Sequence, residues 1–415
     1  MDVSLVLTHD CNLGCGYCYT GAKFRRRMPR AVADKALDLA FEGDAAEVQL
    51  SYFGGEPTLE LDLLLALARE ARTRGEAMGK RVVQTVTTNG TLLDEAALAA
   101  LYAENVYVAL SIDGVRAAHE INRPTMGGGS SFDAAERCLQ LLVDAGRPFE
   151  TITVITPASA RWLGESAAWL FERGVPRLAL NPCYEAAWDD AALAAWEAGL
   201  RGAADAMAGW MRAGRTVSIS LFDNKILAAL KGGLGLEDKC KLGDGFVAVS
   251  PEGHLYPCER LVAEDDKPEL RVGHVDTGVS WARVCGLRPN AAEDKHASNE
   301  ECDSCAERYR CAASCACANL AETGSLQVAG GVQCWHERTV ARIADEMAES
   351  LFAELNPVFL RWFYGRMGID PDKLAEGIRS GAIDLPKLGV DPTAVGRVSR
   401  VRATADGKRA LPVVR

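Results

Sequence analysis

The chain has 415 residues, of which 48% are hydrophobic and 25% charged, and its net charge is -11 at pH 7. This length is enough for a large core and for more than one domain. The negative charge argues against a general affinity for nucleic acid or for anionic membranes. The sequence has no apolar run of about 18 residues, and its start, MDVSLVLTHD, lacks the features of a secretion signal. A cytoplasmic location is expected.

Fourteen cysteines are many for a cytoplasmic protein, because thiols there are kept reduced and stable disulfides are uncommon. Metal binding is therefore the leading explanation. Three cysteines lie near the start, at Cys11, Cys15 and Cys18, and nine fall between Cys240 and Cys334. Two separate groups indicate two separate roles.

Between these groups, β-branched apolar runs alternate with Ala- and Leu-rich helical patterns. Six strands are predicted, at 2–8, 47–53, 81–87, 106–112, 149–155 and 176–181. Strands joined by crossover helices form a parallel sheet, either open or curved into a barrel or partial barrel. In such architectures, ligands bind beyond the carboxyl ends of the strands.

The loops after the first four predicted strands carry unusual residues. In chain order they contain the first three cysteines, Gly54-Gly55-Glu56-Pro57, Thr88-Asn89-Gly90 and Ser111-Ile112-Asp113-Gly114. Adjacent glycines let the backbone approach a ligand closely. The carboxylate and the small polar side chains suit an amine and ribose hydroxyls better than a phosphate, which would normally require a longer glycine-rich loop with Lys, or GxGxxG at the start of a helix.

The first cysteine group is one thiolate short of a complete cluster. A four-iron cluster usually takes one thiolate per iron, so three cysteines leave one iron open to an outside ligand. The spacing Cys11-x3-Cys15-x2-Cys18, with Tyr17 before the last cysteine, resembles the signature of the radical S-adenosylmethionine (radical SAM) enzymes. A zinc site is the alternative for three such cysteines, and the later loop motifs argue against it.

This resemblance implies that S-adenosylmethionine (SAM) binds the open iron and yields a 5'-deoxyadenosyl radical, which abstracts hydrogen from the substrate. It also implies which residues contact SAM. Tyr17 is expected against the adenine. Gly54, Gly55 and Glu56 are expected to accept bonds from the methionine amine. Asn89, Ser111 and Asp113 are expected near the ribose or carboxylate, and Arg123 close to the cofactor.

The second cysteine group has a different spacing. It comprises Cys240, Cys258, the run Cys302-x2-Cys305-x5-Cys311-x3-Cys315, and Cys334. Residues 245–258 alternate like two short strands about Pro251-Glu252-Gly253, a hairpin turn that would bring Cys258 near Cys240. This arrangement resembles the SPASM extension of radical SAM enzymes that modify peptides and proteins.

The SPASM resemblance implies two auxiliary clusters, which with the first make three 4Fe-4S clusters. One would use Cys240, Cys258 and Cys315, and the other Cys302, Cys305, Cys311 and Cys334. The fourth position of the former is open, binds substrate, or recruits Cys317, Cys285 or Cys183. Zinc is the alternative for the CxxC pairs.

Two single residues are also assigned. Glu259 directly follows Cys258, at a place where sulfatase-maturing relatives carry an Asp that takes a proton as the substrate radical is oxidised. Glu259 is therefore a candidate catalytic base, and a carboxylate paired with Arg260 or solvated is the alternative. Cys138 lies on a helical pattern and is expected in the core.

The predicted fold is a partial (β/α)6 TIM-like barrel over 1–215, a SPASM domain over 216–335 and a C-terminal helix and tail over 336–415. Helical spacing begins at His336 and runs to a break at Pro357. In the tail after 368, residues 371–389 favour a short helix and loop, and the basic remainder is expected to be solvated or partly disordered.

The predicted function is hydrogen abstraction from a residue of a ribosomally synthesised precursor peptide, which leads to a crosslink or another modification. Anaerobic sulfatase maturation, from Cys or Ser to formylglycine, is the alternative enzyme. An electron-transfer or zinc-stabilised binding scaffold is the alternative of another class. The expected partners are the peptide and a flavodoxin- or ferredoxin-type reductant. Either a separate protein binds the leader peptide, or the barrel and tail do.

Overall fold

The structure is a computed structural model that describes residues 1–235, 238, 240, 242, 245–287, 300–312 and 315–383. Residues 384–415, which include the whole of the predicted basic tail, lie outside the described residues. Within these residues, strands and helices alternate through the first half of the chain as predicted.

The strands of the described residues pair through backbone hydrogen bonds. In chain order they are β1 Asp2–Val6, β2 Glu47–Phe53, β3 Arg81–Thr88, β4 Val106–Ser111, β5 Phe149–Ile155, β6 Arg177–Pro182, β7 Ser218–Ile219, β8 Phe246–Val249, β9 His254–Tyr256, β10 Gly273–His274 and β11 Gly278–Val279. All six predicted strands are confirmed, and their ends differ from the predicted ones by at most two residues.

The helices fill the connections between these strands and most of the chain after them. In chain order they are α1 Arg30–Phe41, α2 Leu61–Met78, α3 Glu95–Ala103, α4 Arg116–Asn122, α5 Phe132–Asp144, α6 Leu163–Glu172, α7 Asp190–Arg212, α8 Ser220–Lys231, α9 Trp281–Leu287, α10 Glu300–Asp303, α11 Ala316–Thr323, α12 Gly331–Ala353, α13 Pro357–Phe363 and α14 Pro371–Arg379. None of these helices is both long and apolar enough to cross a membrane.

The described residues form two compact units. The first unit takes them from Met1–Thr153 and Cys240–Lys295, and the second takes them from Val154–Lys239 and His296–Arg415. The predicted domain boundaries at 215 and 335 stay a prediction.

The sheet of the first unit is centred on β1. Parallel pairing runs β1-β2-β3-β4-β5 on one side of it. On the other side, β8 pairs with β1 in parallel, so that Val3 lies between Leu50 and Val247. β9, β10 and β11 continue the sheet as antiparallel neighbours. The apolar run of β1 is buried because it has a strand on each side and is covered on both faces.

The predicted hairpin at 245–258 is confirmed as β8 and β9. Its turn is closed by bonds from Ser250 N–H to the His254 carbonyl (2.9 Å) and from Gly253 N–H to the Ser250 carbonyl (2.9 Å). Gly253 has a φ of +89°, and a Cβ there would lie 2.8 Å from the Val275 side chain. Glycine is therefore required at this turn for both reasons.

The second unit contains the parallel pair β6 and β7 and a helical layer. The predicted break at Pro357 is confirmed, since α12 ends at Ala353 and α13 begins at Pro357. The Asn356 side chain caps α13 by accepting from the N–H groups of Val358 and Phe359. The short helix predicted near 371 is α14.

Candidate cofactor site

The three cysteines that follow β1 form one polar loop. Cys11 is buried, whereas Cys15 and Cys18 are partly buried. The Leu13 N–H lies 3.4 Å from Cys11 Sγ, and the Lys23 ammonium lies 2.9 Å from Cys18 Sγ. The predicted cysteine loop thus already directs hydrogen-bond donors at two of its sulfur atoms.

The pKa values of these thiols differ with their surroundings. Burial raises the pKa of Cys11 to about 12, and the Cys15 thiol adds to this rise. Burial also raises the pKa of Cys15, and the Cys18 thiol adds to this rise, against the Arg123 guanidinium. Burial alone would raise the pKa of Cys18, but the Lys23 ammonium brings it below its ordinary value. Lys23 therefore favours thiolate at Cys18, and the sequence analysis did not identify it.

Gly54 and Gly55, at the end of β2, pack directly on the segment that leads into Cys11. A Cβ on Gly54 would lie 2.4 Å from the Thr8 carbonyl oxygen, and one on Gly55 would lie 2.1 Å from the Asp10 carbonyl oxygen. The Gly55 N–H also donates to the Thr8 carbonyl at 2.8 Å. These glycines allow two loops to meet, a role that the sequence analysis had not assigned to them.

Glu56 is buried between the loops after β2 and β3. Its Oε1 accepts from the Thr58 N–H (3.0 Å), the Thr58 hydroxyl (2.6 Å) and the Thr88 hydroxyl (2.7 Å), and its Oε2 accepts from the Asn89 N–H (2.8 Å). Burial raises the pKa of this carboxyl, and the four donors oppose the rise. Within the described residues Oε2 takes this one bond, which leaves it an acceptor position.

The Asn89 side chain connects the β3 loop to the cysteine loop. Its Nδ2 donates to Asn12 Oδ1 at 2.8 Å, and its Oδ1 accepts from the Thr91 N–H at 3.0 Å. Asn12 Nδ2 in turn donates to the Thr91 hydroxyl at 2.7 Å. Asn89 therefore lies beside the residue that follows Cys11.

The partly buried Tyr17 lies against the buried side chains of Asp113 and Arg123, and the resemblance assigned all three residues to the cofactor site. The Tyr17 hydroxyl donates to Asp113 Oδ2 at 3.1 Å, and Arg123 Nε lies 3.1 Å from the same oxygen. The Arg123 guanidinium lies 5.2 Å from the centre of the Tyr17 ring. The side chains of Arg123 and Asp113 are only 5% and 1% exposed. Ser111, also assigned to this site, ends β4 two residues before Asp113.

The segment around Arg123 runs alongside the cysteine loop. Gly16 N–H donates to the Asn122 carbonyl at 2.9 Å, and Gly14 N–H donates to the Pro124 carbonyl at 2.8 Å. Met126 N–H donates back to the Asn12 carbonyl at 3.0 Å. These bonds place Arg123 beside the cysteines.

Comparison with known proteins identifies the family of the domain that contains the cysteine loop. Residues 5–170 match the radical SAM superfamily. These residues are a radical SAM domain. The superfamily implies SAM and a 4Fe-4S cluster as cofactors. The residues fit both, since one loop carries three thiols with hydrogen-bond donors near two of them, Oε2 of Glu56 has an acceptor position for an amine, and Arg123 supplies a buried cation.

The sequence relatives of this chain are distant. An uncharacterized protein of Methanocaldococcus jannaschii is 27% identical over 177 residues, which is 43% of this chain and 60% of that protein. The cysteine-type anaerobic sulfatase-maturating enzyme of Clostridium perfringens (strain 13 / Type A) is 23% identical over 337 residues, which is 77% of this chain and 89% of that enzyme.

Two solved structures share the fold over most of the chain. Native anSMEcpe with bound AdoMet has a TM-score of 0.67 and 20% identity, and the match covers 83% of this chain and 96% of that one. Streptococcus suis SuiB bound to precursor peptide SuiA has a TM-score of 0.57 and 16% identity, and the match covers 80% of this chain and 75% of that one.

In the first unit, the end of the cysteine loop contacts the β8–β9 hairpin and the residues after it. Arg26 pairs with Glu252 at 2.9 Å, and the Glu264 carboxylate accepts from the Ala22 N–H at 2.7 Å. The Arg260 guanidinium lies 4.8 Å from the centre of the Tyr19 ring. The end of the loop that carries the three cysteines is thus joined to the hairpin that precedes Cys258 and Glu259.

Three of the predicted ligands of one auxiliary cluster, Cys302, Cys305 and Cys334, belong to the second unit. Cys334 is in the first turn of α12, and burial together with the thiols of Cys302 and Cys305 raises its pKa, against the Arg338 guanidinium. The Arg338 guanidinium also lies 3.9 Å from Cys305 Sγ. The fourth predicted ligand, Cys311, is partly buried, and the four-cysteine set stays a prediction.

A buried charge network supports the segment that carries these cysteines. Lys225 on α8 bonds to Glu337 on α12 and donates to the Arg310 carbonyl at 2.8 Å. Glu337 also accepts from the Ala312 N–H at 2.6 Å. Arg310 makes two bonds of 2.6 Å to Asp345. The backbone on both sides of Cys311 is therefore held to α8 and α12.

The other auxiliary cluster stays a prediction. Cys240 and Cys258 belong to the first unit, and Cys315 belongs to the second. The residues considered for its fourth position occupy different surroundings: Cys317 is buried in α11, Cys285 is exposed in α9, and Cys183 is buried after β6. Cys138 lies in the core as expected, and burial raises its pKa to about 12.

Proposed function

We propose that this chain is a radical SAM enzyme that modifies a residue of a ribosomally synthesised precursor peptide. The observation that carries the proposal is the three-cysteine loop, whose Tyr17 bonds to Asp113 of the buried Asp113–Arg123 pair, inside a radical SAM domain. The fold likeness to SuiB bound to precursor peptide SuiA supports the choice of substrate.

In this proposal Cys11, Cys15 and Cys18 hold the 4Fe-4S cluster. When bound, the cluster and SAM supply a 5'-deoxyadenosyl radical that takes a hydrogen atom from the substrate. Lys23 lowers the pKa of Cys18 and so favours the thiolate that binds metal. Asp113 and Arg123 bind polar groups of SAM from a buried position, where their interactions are stronger than in water.

Glu259 is proposed as the base that takes a proton from the oxidised substrate. It is partly buried, and burial raises the pKa of its carboxyl. A carboxyl with a raised pKa takes up a proton more readily near neutral pH. Arg260, the alternative partner, contacts the Tyr19 ring with its guanidinium.

Sulfatase maturation is the second candidate. The cysteine-type anaerobic sulfatase-maturating enzyme matches over 89% of its length, and anSMEcpe shares the fold over 96% of its chain. The resemblance implies that Glu259 takes the place of an Asp in such enzymes, and its longer side chain would distinguish this chain from them. Mass spectrometry of a sulfatase peptide and of a precursor peptide encoded beside the gene, each incubated with enzyme, SAM and dithionite, separates the candidates by which peptide changes mass.

The enzyme proposal is tested by anaerobic reconstitution. Three four-iron clusters correspond to about 12 irons per chain, and dithionite with SAM should release 5'-deoxyadenosine. The Cys11→Ala/Cys15→Ala/Cys18→Ala variant should lose about four irons and all release, whereas Cys138→Ala, which removes a core thiol, should retain both. Zinc without iron, or no 5'-deoxyadenosine from the wild type, would favour the scaffold alternative. A leader-binding protein and a flavodoxin- or ferredoxin-type reductant remain the partners to look for.

A further inference from the structure

His119 on α4 lies between the backbones of two residues of the candidate cofactor site. Its ring is buried, with 1% of the residue exposed. The Asp113 N–H lies 3.4 Å from Nδ1, and Nε2 lies 2.9 Å from the Ser131 hydroxyl. That hydroxyl lies 2.6 Å from the Arg123 carbonyl oxygen. The chain of bonds thus begins at Asp113 and ends at Arg123.

The direction of every bond in this chain is fixed. The Ser131 hydroxyl has one hydrogen, and the Arg123 carbonyl can only accept it. Nε2 of His119 must therefore donate to Ser131, which leaves Nδ1 free to accept from Asp113. A neutral imidazole is required, and burial, with the neighbouring cations Arg123 and Arg116, lowers the pKa of His119 to about 3.

The bonds act where regular secondary structure ends. Asp113 lies in the loop after β4, and Arg123 is the residue after the last turn of α4, with φ and ψ of -123° and 56°. The two side chains form the buried ion pair of the site. Their relative placement depends on the two backbones, which His119 and Ser131 connect.

We propose that His119 and Ser131 are positioning residues for SAM binding, which act through the backbones of Asp113 and Arg123. This inference rests on the proposed function. It adds two residues to the site that do not themselves contact the cofactor. Both come from the stretch HEINRPTMGGGSS, of which the sequence analysis used Arg123 alone.

The test measures SAM affinity of the reconstituted holoenzyme by calorimetry, together with iron content and the rate of 5'-deoxyadenosine release at saturating SAM. Ser131→Ala removes the hydroxyl, and His119→Phe keeps the ring shape without its nitrogens. Each should weaken SAM binding about tenfold, the effect of losing one or two buried hydrogen bonds. Iron content and the rate at saturating SAM should stay within about twofold.

The double variant gives a sharper result. If the two residues act through one chain of hydrogen bonds, the second substitution removes nothing further. The double variant should then bind SAM no more weakly than the single variant with the lower SAM affinity. Ser130→Ala is the matched control, since its hydroxyl donates to the exposed Glu120 carboxylate. This control should bind SAM like the wild type.

The outcomes separate this inference from the proposed function. If the wild type does not bind SAM or release 5'-deoxyadenosine, the proposed function fails. If the wild type does both and Ser131→Ala binds SAM equally well, the positioning inference fails while the function stands. Additive losses in the double variant would also overturn it. Should His119→Phe not fold, Ser131→Ala and Ser130→Ala still decide the question.

Discussion

At Gly55 the β2 loop comes so close to the cysteine loop that no side chain fits. A Cβ would lie 2.1 Å from the Asp10 carbonyl oxygen, which is backbone and cannot rotate away. Gly55→Ala should therefore displace the residues before Cys11 and lower the iron bound at this loop, measured as iron per chain after reconstitution. Gly16→Ala, whose Cβ would meet nothing within 4 Å, should retain its iron. Full iron in Gly55→Ala would contradict this account.

Arg123 is the buried cation of the site, so its removal is expected to lower the free energy of unfolding. Arg123→Ala would leave the Asp113 carboxylate buried without its ion-pair partner. Breaking a buried pair in this way destabilises a protein by about 3 kcal/mol or more. The free energy of unfolding by denaturant measures the loss. Arg116→Ala, at the exposed first residue of α4, should change the free energy of unfolding little, and equal effects of the two substitutions would show that burial is not the reason.

The residues that the sequence located are those with a local motif. Short patterns that follow strands contain the first three cysteines, Gly54-Gly55-Glu56, Asn89 and Asp113. The structure places these residues around one loop. Lys23 and His119 were missed because a single Lys or His in a polar stretch has no local pattern. Their roles depend on neighbours that only the tertiary structure supplies: Lys23 on the position of Cys18, and His119 on Asp113 and Ser131.

At the level of elements, the strands were predictable where a run of six or seven residues is rich in apolar side chains. The pairing of β8 with β1 could not be predicted, because parallel partners share no turn and lie far apart in sequence. β7, β10 and β11 have two residues each, too few for a periodic pattern. The hairpin of β8 and β9 was predictable because its turn contains Gly253 between two short apolar runs.

The α8–α12 contact offers a test of the cysteine-bearing segment of the second unit. Glu337 bonds to Lys225 and to the Ala312 N–H, next to Cys311. Glu337→Ala should destabilise the protein by about 3 kcal/mol, because it leaves a buried ammonium without its counter-ion. It should also lower the iron bound per chain.

The matched control for this test is on the same helix. Glu346→Ala removes a carboxylate that forms partly exposed pairs with Arg201 and Arg342. Such pairs contribute less than about 1 kcal/mol, so its stability and iron content should stay close to the wild type. If Glu337→Ala binds as much iron as Glu346→Ala, the network does not support a metal site.

At the scale of the whole molecule, stretches that are far apart in the sequence belong to the same compact unit. The first unit joins residues before 154 with residues after 239, because β8 extends the sheet at β1. A composition-based reading follows the chain and places boundaries where the residue pattern changes. It therefore cannot detect a unit assembled from two separate stretches.

The stability of the whole protein should depend on pH through His119. In the unfolded chain this residue has a pKa near 6.5, whereas in the folded protein burial, Arg123 and Arg116 lower its pKa to about 3. As the pH falls below about 6.5, the unfolded state takes up a proton that the folded state does not bind. The contribution of neutral His119 is therefore complete above that pH and is lost progressively towards pH 3. Between pH 7 and pH 5 the loss is about 2 kcal/mol.

The variant His119→Phe isolates this contribution, because it cannot take up the proton. Its free energy of unfolding should fall by about 2 kcal/mol less than that of the wild type between pH 7 and pH 5. Other groups, including the buried His336, whose pKa burial lowers to about 4, titrate in both proteins and cancel in the comparison. Denaturant unfolding at the two pH values measures the difference, and equal losses in the two proteins would mean that His119 is not held neutral between Asp113 and Ser131.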